Sequence, residues 1–258
     1  MSAGTVTANG IEIWYEDFGD PADPHVMLVM GANATAMWWD SAFYEPIVDA
    51  GFHVVRFDNR DVGLSEWFDF AAQPYTLADM AADTIGLMDA LSIPTAHLVG
   101  TSMGGMVAQT VALDHPDRVL TLTSICSSPG AFDPDLPATP EHIVELAMAP
   151  MPDSREGRLD RLVEFWQSCA GTTFAFDEPH WRSVFETDLD RGFNPTPGHG
   201  FAIAMSPSRR EALRNLEMPV LVIHGDADPI LPHAHGVATA EAIPGAKLVA
   251  IPGAGHTD

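Results

Sequence analysis

Basic residues are scarce in this chain of 258 residues: 12 Lys plus Arg stand against 36 Asp plus Glu, a formal charge of −24, and Lys247 is the single lysine. A surface of that sign repels nucleic-acid phosphates and anionic lipid. Nucleic-acid binding and membrane-surface roles are therefore excluded as expectations, and polyanionic substrates are disfavoured. Cysteine is nearly absent too. Cys126 and Cys169 cannot form a disulfide framework, so a reduced thiol pair in an intracellular protein is expected. No apolar run approaches the length that spans a bilayer. The opening MSAGTVTANG has no basic region leading into an apolar stretch, as a secretory signal would. A cytoplasmic protein is the expectation. No internal repeat or low-complexity tract interrupts the chain.

What remains is a composition able to fold: 46% hydrophobic, 19% charged, and long enough for one large domain with a core of its own. Ile11 to Glu16 alternates apolar and charged residues, the pattern of a half-buried strand. Val26–Met30 and Phe52–Phe57 are near-continuous apolar runs, which suit parallel strands covered on both faces. His97–Val99, Val119–Ile125, Val220–Ile223 and Leu248–Ile251 read as further strands. Between them lie helical patterns. Thr76 to Leu91 places Leu77, Met80, Ala81, Ile85, Met88 and Leu91 on one face, with Thr76 and Asp79 as an N-terminal capping pair. Met103 to His115 is apolar nearly all round and stops at Pro116, as a buried helix would. This alternation predicts an α/β class, a mostly parallel sheet flanked by helices.

Residues 129–207 break the rhythm. Pro129, Pro134, Pro137 and Pro140 open a stretch of short helical segments without strands, and eight aromatic residues crowd between Phe165 and Phe201. The expected organisation is a core of residues 1–128 and 208–258 with a small helical cap, 129–207, inserted after one sheet strand. Most of those aromatics should pack between cap helices. Trp166 and Trp181, with Trp38 from the core, are the candidates for lining an apolar substrate pocket.

Gly100-Thr101-Ser102-Met103-Gly104 fits G-x-S-x-G, a pattern that is weak alone. Its context gives it weight, because it closes a strand and opens the buried helix. A strand turning sharply into a helix strains the serine and lifts its hydroxyl to the carboxyl edge of the sheet. Ser102 is thus the candidate nucleophile. A serine hydroxyl needs a base. Among eleven histidines His256 is preferred, since Gly253-Ala254-Gly255-His256 follows the last strand at the same edge. His224, His233, His235 and His115 are assigned structural roles in loops or at a helix end. The loop after Val220–Ile223 offers two acids to orient the imidazole. Asp226, next to Gly225, suits a turn role within its own loop, and Asp228, further out, is preferred as the partner of His256. Oxyanion stabilisation needs backbone donors. Met103 N–H and Ala32 N–H, from the loop Gly31-Ala32-Asn33-Ala34-Thr35, are the candidates, with Asn33 as loop support or simple turn residue.

Together with Asp58-Asn59-Arg60-Asp61-Val62-Gly63-Leu64-Ser65, which looks like D-x-R-x-x-G-x-S, these residues resemble the α/β-hydrolase family over nearly the whole chain outside the cap. Within it the chain looks most like the aclacinomycin-type methylesterases, through Asp17 to Pro24, the Met30-Gly31 loop and Ala112-Leu113-Asp114-His115. The resemblance implies an α/β-hydrolase fold and a serine esterase acting on a bulky, apolar, small-molecule carboxylic ester, with no metal and no organic cofactor. The cap is shorter than in those esterases, so the particular ester does not carry over. Serine rather than aspartate at the turn argues against dehalogenase and epoxide hydrolase chemistry. The alternatives are a perhydrolase or cofactor-free haloperoxidase using the same triad, and a noncatalytic ligand-binding member of the fold.

Overall fold

The computed structural model describes residues 2–194 and 197–257. Its centre is an eight-stranded sheet: β1 (Ser2–Ala8), β2 (Ile11–Phe18), β3 (His25–Val29), β4 (His53–Phe57), β5 (Ala96–Thr101), β6 (Val119–Ile125), β7 (Val220–Gly225) and β8 (Lys247–Ile251). The order across the sheet is β1-β2-β4-β3-β5-β6-β7-β8. β1 and β2 run antiparallel at one edge, and from β4 onward every pairing is parallel.

The apolar runs behave as parallel central strands require. β4 is buried along its whole length and β3 in all but its first residue. Successive side chains of these strands serve opposite faces. Met27, Val29, Val55 and Phe57 join a core with Met80, Leu87 and Met88 of α2 (Leu77–Ala90) and Met106, Val107 and Val111 of α3 (Met103–Asp114). Val26, Leu28 and Val54 point the other way, against Trp39 and against Ile47 and Val48 of α1 (Ser41–Asp49). The sheet is therefore covered on both sides. Thr76 and Asp79 form the capping box expected of α2.

Four helices lie between β6 and β7: α4 (Glu141–Met148), α5 (Arg155–Ser168), α6 (Glu178–Arg191) and α7 (His199–Met205), with no strand among the described residues there. The ends of the insertion meet, since Arg209 N–H donates to Pro129 O at 2.7 Å. Such a segment can enter and leave without disturbing the β6–β7 pairing. Leu159, Val163 and Phe185 form its own small core, with Trp38, Trp166, Phe176 and Trp181 packed against it. The last helix, α8 (Ala234–Ala242), precedes β8. Among the described residues no helix is long and apolar enough to cross a membrane.

Parallel pairing brings the carboxyl ends of five strands to one edge. Val29 lies beside Gly100, Thr101 beside Ile125, Ile125 beside Ile223, and Gly225 beside Ile251. In an open α/β sheet this is the edge where loops can converge on a ligand.

Candidate active site

Ser102 sits between β5 and α3 at φ 53°, ψ −121°, a left-handed backbone that a side chain rarely adopts. The turn is held because its neighbours leave no alternative. Ser102 N–H donates to Ile125 O at 2.8 Å, and the Ser127 hydroxyl donates to Ser102 O at 2.7 Å. The glycines answer to close approach. A Cβ on Gly100 would overlap the Gly104 carbonyl, and one on Gly104 would overlap the Val29 carbonyl of β3. The flanking glycines of the pattern therefore let strand and helix touch backbone to backbone. The half-buried serine is left at the head of α3, where the helix N-terminus supplies positive potential.

The loop after β3 runs against that serine. A Cβ on Gly31 would stand 3.2 Å from Ser102 Cβ and 3.8 Å from its Oγ, so the Gly31–Ala32 backbone lies beside the hydroxyl. Met103 is fully buried, its side chain in the core below, and contributes only backbone at the turn. Met103 thus follows Ser102 directly, and Gly31, the neighbour of Ala32, lies against it.

Asp228 and His256 meet. His256 Nδ1 and Asp228 Oδ2 are 2.6 Å apart, while Asp228 Oδ1 accepts the N–H groups of Ile230 (2.8 Å) and Leu231 (3.0 Å). Burial alone would raise this carboxyl. The opposing His256 charge, hydrogen bonds from the His224 and His256 rings and the Leu231 N–H outweigh it and hold Asp228 well below the usual carboxylate range. It stays ionised beside the His256 ring. His224 is less remote from the chemistry than a loop role implies: its Nε2 lies 2.7 Å from Leu231 O and 3.4 Å from Asp228 Oδ2.

Asp226 departs from its expected role. Rather than bonding its own loop, Asp226 Oδ1 accepts Gly253 N–H at 2.6 Å and so ties the acid loop to the histidine loop. The two loops leave adjacent strands, β7 and β8, and an exposed carboxylate beside an adjacent loop finds that amide more readily than one in its own tight turn.

The histidine loop is also clasped from above by the segment after α5. His256 N–H donates to Cys169 O at 2.8 Å, and Thr172 and Thr173 N–H both donate to Gly253 O, at 2.7 and 3.1 Å. A Cβ on Gly255 would overlap Cys169 O and Gly171 N. Among the candidate substrate residues, Trp166 of α5 stacks on His256, with ring centroids 6.4 Å apart and planes at 16°. Trp38 packs on Trp166 at 4.8 Å and on Trp181 at 4.9 Å. Trp166 thus borders the acid–base pair, whereas Trp38 and Trp181 join the small helical core. A surface groove of about 630 Å³, lined by Trp67, Phe68, Phe70, Asn194 and Phe201, contains none of these site groups.

Sequence reasoning missed Cys126. It follows β6 at φ 45°, and its Sγ, a carboxylate oxygen of Asp228 and a ring nitrogen of His256 all lie within 4.8 Å of one another. Ile125 holds the serine turn while its neighbour Cys126 faces the acid–base pair, so the end of β6 links the two halves of the site. The G-x-S-x-G pattern carries no sign of this, because a lone buried cysteine reads as a small hydrophobe.

Asp188 of α6 was missed as well. It accepts the Thr35 hydroxyl and, at 2.6 Å, Trp38 Nε1–H. Burial raises its carboxyl to about 6, against the pull of the hydrogen bonds from Thr35 and Trp38 and with help from the nearby Asp58 charge. A carboxyl raised on folding adds stability at low pH, which is lost as pH climbs from its ordinary value of 3.8 through about 6. Asp188→Asn cannot titrate. Its stability relative to the native chain should therefore improve between pH 4 and pH 7, by about 2–3 kcal/mol. Urea unfolding of both proteins at the two pH values checks this; a gap that stays constant or widens against the variant would refute it.

Comparison with known proteins agrees with this fold. The α/β-hydrolase fold family matches residues 24–258. Rhodomycin D methylesterase of Streptomyces sp. (strain C5) is 33% identical over 277 residues, covering 99% of this chain and 92% of that enzyme. A non-heme chloroperoxidase of Kitasatospora aureofaciens is 24% identical, with 97% and 90% covered. Among solved structures, a thermophilic esterase from Thermogutta terrifontis superposes with a TM-score of 0.79 at 25% identity, over 100% of this chain and 92% of that one. With a strained serine between strand and helix, an acid–histidine pair at the same sheet edge and a family match over most of its length, the chain belongs to the α/β-hydrolase fold family.

Proposed function

We propose that the chain is a serine esterase that cleaves small-molecule carboxylic esters through an acyl-enzyme. The reading rests on one observation: an ionised, backbone-anchored Asp228 lies 2.6 Å from His256 at the sheet edge where strained Ser102 emerges. In it, His256 takes the Ser102 proton as Oγ adds to the ester carbonyl, and Asp228 stabilises the resulting imidazolium. The backbone N–H groups of Met103 and Ala32 receive the oxyanion. Collapse of the tetrahedral adduct breaks the bond to the alkoxy oxygen, which leaves as the alcohol with the proton from His256. Water, deprotonated by the same histidine, then adds to the acyl-enzyme and releases the acid. The sequence uses only side chains and amides of this chain, together with water and the ester.

Residues 129–207 are read as the cap and 1–128 with 208–258 as the core. The Trp166 face beside His256 favours an apolar acyl group, and the relatives named as methylesterases favour a small alcohol. The chloroperoxidase relative makes peroxide-dependent halogenation the second reading, since peroxide in place of water on an acetyl-enzyme would give the peracid.

Short-chain p-nitrophenyl esters and methyl esters of graded acyl size should be hydrolysed, with a fluorophosphonate probe attaching at Ser102. Halogenation with acetate and peroxide present should be much slower. No turnover across the series together with an unlabelled Ser102 would reject the esterase and revive a ligand-binding role; halogenation faster than hydrolysis would favour the peracid reading.

A further inference from the structure

The loop that carries Ala32 is held by groups outside it as well as by its own Thr35 cap. Asn33 is at φ 62°, a left-handed conformation, and the peptide linking it to Ala32 is held by a residue 166 positions away in the chain. His199, the first residue of α7, is fully buried, and its Nδ1 accepts Asn33 N–H at 2.9 Å. Its Nε2 lies 2.7 Å from Arg60 O and must be the donor there, which leaves Nδ1 bare and fixes the tautomer. Burial keeps the ring neutral by lowering it to about 4, although Arg60 O and the Asp61 charge pull the other way.

Two more groups of the inserted helices act on the same loop. Asp188 of α6 holds Thr35 and Trp38. Arg191, at the end of α6, donates to Asp58 Oδ2 at 2.7 Å, and the other oxygen of Asp58 accepts Ala36 N–H at 2.8 Å. Residues 33, 35, 36 and 38 thus each bond to a group of α6 or α7, directly or through Asp58. Asp58 belongs to the D-x-R-x-x-G-x-S stretch, whose Arg60 carbonyl also anchors His199; that stretch is the bracket joining the inserted helices to the loop.

We propose that His199, supported by Asp188, is a positioning residue for the oxyanion hole, so that seating of the cap helices and alignment of the Ala32 amide beside Ser102 are one event. The inference rests on the esterase reading above. It gives the cap a part in the chemical step as well as in enclosing substrate, because an amide displaced by a fraction of its hydrogen-bond length loses most of its hold on the oxyanion.

Two replacements separate positioning from packing. His199→Asn places a carbonyl oxygen near the site of Nδ1 and can still accept Asn33 N–H. His199→Gln reaches the site of Nε2 and can still donate to Arg60 O, but leaves Asn33 N–H without its acceptor. On a p-nitrophenyl ester, His199→Gln should lose ten- to a hundredfold in kcat with KM changed by less than about threefold, and His199→Asn should recover most of that loss. Asp188→Asn, which keeps one of two acceptors, should lose severalfold in kcat and serves if His199→Gln does not fold. Equal kcat in the Asn and Gln variants, a loss confined to KM, or an unchanged kcat in Asp188→Asn would overturn the assignment. A native enzyme that neither cleaves esters nor labels at Ser102 would instead sink the esterase reading itself, so the two failures are distinguishable.

Discussion

Ser102→Ala should lower kcat for a p-nitrophenyl ester by about a thousandfold or more while leaving the fold intact. The magnitude follows from the role proposed for the hydroxyl. Without it no acyl-enzyme forms, and the residual rate is that of water attacking an ester held by the amides of Met103 and Ala32, which in serine hydrolases generally remains above the uncatalysed rate. The fold should survive because the strain at φ 53° is imposed by the backbone contacts of Gly100 and Gly104 and by Ser127, none of which uses the Ser102 side chain. Alanine tolerates that backbone no worse than serine, so thermal melting should move by only a few degrees. Steady-state kinetics together with loss of fluorophosphonate labelling checks it. A variant that turns over at the native rate would show that the nucleophile lies elsewhere.

The second large effect separates the two aspartates of one loop. Asp228→Asn should reduce kcat by about 10⁴, since an amide facing His256 Nδ1 at 2.6 Å can favour the wrong tautomer and cannot offset an imidazolium charge. Asp226→Asn should cost little in kcat. Its oxygen would still accept Gly253 N–H, the bond by which it joins the acid loop to the histidine loop, so its effect should fall on melting temperature. Parallel kinetics and melting curves decide it: a catalytic collapse in Asp226→Asn with near-native turnover in Asp228→Asn would exchange their roles.

The parts of the molecule that sequence revealed are those in which one local pattern has one physical meaning. A run such as Val26-Met27-Leu28-Val29 has no face to show to water and must be a covered strand, and it lies in β3. The glycines around Ser102 bound a turn too tight for side chains, and the overlaps at Gly100 and Gly104 give the reason. β1 stayed hidden because Ser2-Ala3-Gly4-Thr5-Val6-Thr7-Ala8 holds little apolar surface; its strand exists through pairing with β2 at the sheet edge. α8 was obscured similarly, since it buries His235, Gly236, Ala238 and Thr239 rather than a row of large apolar side chains. The supports of the site were harder still to read. His199 meets Asn33 across 166 positions of chain and Asp188 meets Thr35 across 153, distances over which periodicity and motif carry no information. Such contacts are properties of the assembled fold alone.

The meeting of the Cys169–Thr173 segment with the Gly253–His256 loop sets a boundary for redesign of this protein. The two backbones touch where a single methyl on Gly171 or Gly255 would overlap main-chain atoms of the other segment. Grafts that import a foreign insertion to change which molecules are accepted should therefore place their junctions outside this five-residue contact. A junction within it would alter the insertion and displace His256 in the same stroke, and a library screened only for turnover would discard useful insertions along with broken ones.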